Sequence, residues 1–124
     1  HNTKDYVIEY GTSGNWKYRK WNSGTAECWG KFVHANALPC TKQWGILWET
    51  DNIGTTDVPS YPISFTDIPS SCIECQGTSM AYLSLERSGA SKTHIGNIYL
   101  TRPDGVSTFS AGFTITVYAI GRWK

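Results

Sequence analysis

No apolar run approaches the roughly 18 residues that a membrane-spanning helix needs, so nothing in this sequence is read as inserting into a bilayer. Charge is scarce too. Asp, Glu, Lys and Arg make up 17% of the 124 residues, below the ~25% of ordinary soluble domains. The signs nearly cancel, with 11 basic and 10 acidic residues and a formal net charge of +1. Nucleic-acid and polyanion binders normally carry a basic excess, so this balance argues against them. It leaves a neutral glycan open, and predicts binding with little salt dependence.

Catalytic patterns are also missing. The only histidines are His1, His34 and His94, and no G-x-S-x-G elbow occurs. Nucleophilic catalysis needs a Ser or Cys with a base in reach, and no pairing of that kind stands out. Glu49 and Asp51 would share a strand face, but they adjoin a Gly-containing loop rather than a cleft. His34 and His94 read as surface or hydrogen-bonded structural residues. No D-x-[DN]-x-[DN]-G calcium loop is present, and Asp51, Asn52 and Asp57 read as a solvated loop. Cys28, Cys40, Cys72 and Cys75 contain one CxxC pair, but the other two lie twelve apart. A zinc ribbon would have a second close pair. The cysteines therefore read as small, mostly buried, reduced residues. The expectation is a chain that is not an enzyme and needs neither metal nor cofactor. The start shows neither an initiating Met nor a signal peptide. That reads as a processed product or an excised fragment.

What is present is aromatic and turn-rich. Aromatics make up 14% of the chain, with six Trp, and there are 12 Gly. So many rings among so few charges either hide surface in an oligomer or offer ring faces to a ligand. Helical periodicity is lacking, while strand and turn signals are dense. Strands are expected at 5–10, 15–21, 25–34, 42–49, 61–65, 71–76, 80–86, 94–101 and 109–123. Between them, 50–60 reads as an exposed loop, and 11–14, 88–92 and 102–107 as turns or loops. This spacing predicts one all-β domain over 1–124: an antiparallel β-sandwich, jelly-roll-like, of about eight to ten strands. In the last strand Phe113, Ile115, Val117 and Ala119 share one face. The other face, with Thr114, Thr116, Tyr118 and Ile120, turns apolar toward its end. A second layer or a neighbouring subunit is expected to cover it.

Sugars stack apolar C–H faces on aromatic rings and hold their hydroxyls through polar side chains. Trp44, Trp48 and Tyr61 flank the polar loop 50–60, whose Asp51, Asn52 and Asp57 supply polar groups. These six form the first candidate site. In the 15–21 strand, Trp16, Tyr18 and Lys20 face one way, toward the expected core. Arg19 and Trp21 face the other way beside Lys17 and form the second candidate. Trp21 alternatively stacks across the hairpin, on the face bearing Glu27 and Trp29.

Three segments carry a resemblance. The first is Trp16-Lys17-Tyr18-Arg19-Lys20-Trp21-Asn22-Ser23-Gly24-Thr25-Ala26-Glu27-Cys28-Trp29-Gly30. The second is Tyr61-Pro62-Ile63-Ser64-Phe65-Thr66-Asp67-Ile68-Pro69. The third is Tyr118-Ala119-Ile120-Gly121-Arg122-Trp123-Lys124. Together they resemble the C-terminal receptor-binding domains of bacteriophage tail-fibre and baseplate proteins. The resemblance implies a β-sandwich head at the distal end of a homotrimeric fibre, following upstream fibre or baseplate segments. It implies assembly in the host bacterial cytoplasm, residence on the virion, and adsorption to a host surface saccharide. The shared segments look like scaffold, which places receptor contacts between them, in 50–60 and 88–92. Two alternatives stay open: a structural tip that trimerises a fibre, and a carbohydrate-binding module of a bacterial surface protein.

Overall fold

The computed structural model describes residues 4–77, 82–86, 89–103, 108–109 and 113–124. Asn22-Ser23-Gly24 turns the chain between β2 (Trp16–Trp21) and β3 (Thr25–His34), as the sequence predicts. Gly24 holds φ at +107°, a left-handed value that suits glycine. β1 (Val7–Ser13) precedes this hairpin. After it come β4 (Leu38–Trp44), β5 (Leu47–Thr50), the single-turn helix α1 (Gly54–Asp57), β6 (Ser70–Gln76) and β7 (Tyr82–Glu86). β8 (Asn97–Arg102), β9 (Thr108–Phe109) and β10 (Phe113–Arg122) complete the chain.

Two five-stranded antiparallel sheets result, in the orders β1-β2-β3-β10-β6 and β7-β8-β5-β4-β9. The sandwich expected from the strand spacing is the architecture found. Its core follows from strand alternation. β3 buries Ala26, Cys28 and Phe32, and β10 buries Phe113, Ile115, Val117 and Ala119. The second sheet contributes Leu38, Cys40, Ile98 and Leu100 to the same cluster. Trp16 lies inside it, with its ring centroid 4.9 Å from Phe32 and 5.7 Å from Tyr61. Gly30 faces Trp16 across the hairpin. A Cβ there would stand 2.7 Å from the Phe32 ring and 3.0 Å from the Asn15 carbonyl, so the aromatic packing requires the glycine.

Several expected elements differ. Residues 42–49 are not one strand. Gly45, at φ +60°, turns the chain back between β4 and β5, with glycine first in a two-residue hairpin turn. The 50–60 segment is not an open loop, because Ile53 and Val58 are buried anchors on either side of α1. Asn52 braces it, accepting from the backbone N–H of Gly54 and Ile98 and donating to Asn97. Residues 61–65 alternate correctly, with Tyr61, Ile63 and Phe65 buried, yet form no strand. They attach through the Tyr61 and Phe65 N–H groups to the carbonyls of Thr93 and Lys92. The expected 109–123 strand is split into β9 and β10, and Gly112 lies outside the described residues. So do Met80, Ala81, Ser88 and residues 104–107 of the expected turns and strands. Of the cysteines, Cys28 and Cys40 are buried, Cys75 is half-buried and Cys72 is exposed; all four are free thiols.

The three segments that prompted the resemblance meet in space. The Trp123 N–H bonds the Gly24 carbonyl at 2.9 Å, and its indole N–H bonds the Trp21 carbonyl at 2.8 Å. The Thr66 N–H bonds the Arg122 carbonyl at 2.8 Å. The hairpin turn, the closing strand and the 61–69 segment thus tie one end of the sandwich together.

Candidate functional site

Side chains alternate across a strand, so burying Trp16, Cys28 and Val117 turns their neighbours outward. The register then sets two rows across the outer face of the first sheet. Tyr10, Arg19, Glu27 and Ile120 form one, and Thr12, Lys17, Trp29 and Tyr118 form the next. Within the first row Glu27 is only 4% exposed, although it lies on the outer face. Its carboxylate accepts hydrogen bonds from the Arg19 guanidinium and the Tyr118 hydroxyl. A carboxylate so enclosed needs such charge-assisted partners. The same bond holds the Tyr118 phenol up to about 12, through its hydrogen bond to Glu27 first and desolvation second.

Aromatic rings frame this pair. The Arg19 guanidinium carbon lies 4.9 Å from the Trp21 ring centroid and 5.3 Å from that of Trp29, within cation–π range. Tyr10 meets Trp29 edge-on at 6.4 Å and remains 58% exposed. Tyr118 and Ile120 are also exposed. Among the described residues no second layer covers them. Beside Trp29 lies an open depression of about 240 Å³, lined by Asn15, Lys17, Trp29, Gly30, Lys31 and Thr116.

The first candidate site does not assemble. Trp44 is 68% exposed at the β4–β5 hairpin tip, next to Ile46 at 80%. Trp48 is half-buried against the core, and Tyr61 is a core residue whose ring contacts Trp16 and Phe65. Burial pushes the Tyr61 phenol up, and its ring presents no face to a ligand. Asp57 is paired with His34, carboxylate oxygen to Nδ1 at 2.7 Å, and Asn52 is occupied by the loop bonds described above. Asp51 is exposed, 3.7 Å from Lys42. Of the six, only Trp44 and Asp51 face solvent freely, on different elements. Of the second candidate site, Arg19 and Trp21 are brought together on the outer face. Trp29 joins them, which the hairpin pairing already pointed to. Tyr10, Tyr118 and Thr116 were not singled out for this site, because their placement depends on strands whose pairing partners the sequence does not name; Lys31, two residues after Trp29 on the hairpin strand, was within reach of the alternation alone.

His34 and His94 are held in structural contacts. His34 stacks on Phe113 with centroids 4.8 Å apart. His94 accepts at Nδ1 from the Gly96 N–H at 2.9 Å, so Nε2 carries the proton and donates to the Val58 carbonyl at 2.7 Å. Burial, with Glu27 adding to it, pushes the Cys28 thiol up to about 12, and burial pushes that of Cys75 up to about 11. Neither is an activated nucleophile. Among the described residues no group of three or more His, Cys, Asp or Glu is placed to hold a metal ion, and no helix is long and apolar enough to cross a membrane.

No protein-family model, curated protein or solved structure matches this chain.

Proposed function

We propose that this chain is a receptor-binding head of a phage tail-fibre or baseplate protein, and that it attaches the virion to a bacterial surface saccharide. The observation that carries this reading is the outer face of the first sheet. Tyr10, Trp21, Trp29 and Tyr118 surround the neutralised Arg19–Glu27 pair there on a rigid, solvent-facing platform. Flat rings with fixed polar groups between them suit the mixed apolar and hydroxylated faces of sugars. A shallow site binds weakly, at about millimolar to micromolar Kd. A homotrimeric fibre joined through upstream segments would raise that by avidity.

A second reading, a trimerising tip, is favoured by a separate observation. The edge strand β1 and the residue before it expose Tyr6, Val7, Ile8 and Tyr10, apolar groups pointing to both sides of the sheet edge. The deciding experiment is an array of purified bacterial capsular and cell-wall polysaccharides. It is probed with the wild-type domain, with Trp29→Ala and with Trp44→Ala. Wild type and Trp44→Ala are expected to bind the same glycans, and Trp29→Ala to lose them. A folded wild-type domain that binds no arrayed polysaccharide overturns the reading. Light scattering that shows a trimer broken by Ile8→Lys would then support the second.

A further inference from the structure

We propose that the depression beside Trp29 takes an anionic sugar, a monosaccharide unit bearing a phosphate or carboxylate, held between the ammonium groups of Lys17 and Lys31. This rests on the reading of the face as a saccharide site and names the ligand it selects. Lys17 stands directly across the hairpin from Trp29, and Lys31 follows Trp29 by two residues on the same face of β3. Both are exposed and both line the depression. The strand β2 begins at Trp16, so the sheet steps down beside Lys31, and Asn15 fronts the step. Thr116, opposite Lys31 on β10, forms the far wall.

What matters at this depression is that both of its lysines are uncompensated. Arg19 is neutralised by Glu27, Lys20 lies 3.7 Å from Glu9, and Lys42 lies 3.7 Å from Asp51. Among the described residues neither Lys17 nor Lys31 has a carboxylate within 4.0 Å. The groups facing them from neighbouring strands are Thr12 on β1, Thr116 on β10 and, one strand further, Glu74 on β6. Glu74 is two strand spacings from Lys31, roughly 10 Å along the sheet, and it accepts from the Gln76 amide. The net charge of +1 therefore conceals a local excess of two positive charges beside an aromatic ring. A sugar would lay its C–H face on Trp29, place its anion between the two ammonium groups, and turn hydroxyls toward Asn15 and Thr116. The volume, about 240 Å³, is below the ~300–1,000 Å³ of pockets for drug-sized ligands. It suits one sugar ring rather than a chain of them.

The test follows the Trp29 indole N–H by NMR while the full chain is titrated with glucose 6-phosphate, glucuronate or glucose. Both anionic sugars are expected to shift that signal at concentrations at least fivefold lower than glucose. Whichever is tighter identifies phosphate or carboxylate as the preferred anion. Raising salt from about 0.01 to 0.1 M, which shortens the Debye length from ~30 to ~10 Å, should weaken the anionic ligands and leave glucose unchanged. Lys17→Gln with Lys31→Gln should bring the anionic sugars down to glucose, and Lys17→Arg with Lys31→Arg should keep the preference. Equal binding of all three sugars at Trp29 overturns the anion assignment and leaves the saccharide reading standing. A Gln double variant that keeps the preference overturns it as well. Failure of the saccharide reading itself shows separately, as a wild-type domain that binds nothing on the polysaccharide array.

Discussion

Replacing Glu27 by Gln tests the organisation of the outer face without changing its shape. Glu27 is 4% exposed and accepts from two donors, Arg19 and Tyr118. A hydrogen bond to a charged group contributes about 1.5–3 kcal/mol. The Arg19 side chain, however, is 42% exposed, and solvent screening reduces its share to about 1 kcal/mol. Gln still offers one carbonyl oxygen, but its amide N–H₂ must then face a donor. The expected loss is about 2 kcal/mol, or roughly 8 °C in Tm for a domain of this size. Tyr118 gives a second readout. Its phenol is held up to about 12 chiefly by the bond to the Glu27 carboxylate. Below pH 10 the phenol is protonated in both folded and unfolded chains, and the bond's contribution is complete. Between about 10 and 12 the unfolded chain ionises first, so that contribution is lost as pH rises. In the Gln variant the Tyr118 titration should move down toward the ordinary ~10, followed by tyrosinate absorbance. Urea denaturation with an unchanged midpoint, together with an unmoved Tyr118 titration, would refute the proposed hydrogen-bond network.

Tyr61→Ala should destabilise the fold by about 3–5 kcal/mol in denaturant titration, as loss of a buried aromatic does, while any variant that still folds keeps its glycan binding. Gly30→Ala should cost about 1–3 kcal/mol, because the added methyl meets the Phe32 ring and the Asn15 carbonyl; a melting curve matching wild type would contradict this. At pH 8 Ellman's reagent should label exposed Cys72 quickly and Cys28 only after unfolding, since the latter is enclosed and its thiol stands near 12; rapid labelling of two or more thiols in the folded domain would contradict that burial pattern.

Local chemistry made much of this fold readable from the sequence. The Asn22-Ser23-Gly24 turn between alternating aromatic strands could hardly be anything but a hairpin, and the 113–119 alternation marked the core face of β10 correctly. Alternation reports burial, though, not pairing. Tyr61, Ile63 and Phe65 are buried every second residue without joining a ladder, because a strand needs a neighbour's backbone and no local pattern specifies one. Gly45 was missed for a related reason: one glycine in an apolar run becomes a turn only when both flanking halves find partners, here β4 with β5. The same limit governs the site. The sequence placed Arg19, Trp21, Glu27 and Trp29 on one hairpin face, since eight residues separate Arg19 from Glu27 across a short turn. It also favoured Trp48 and Tyr61, whose exposure depends on how 50–60 folds back, and tertiary packing buried Tyr61 in the core and half-buried Trp48. The partner that completes the Glu27 network, Tyr118, lies 91 residues away. Only the β3–β10 register brings it there, and that register is fixed by matching ten residue pairs along two strands that each bury one face in the core. Short-range turns and periodicity are written residue by residue; which distant strands share an edge is decided by the cooperative burial of the whole core.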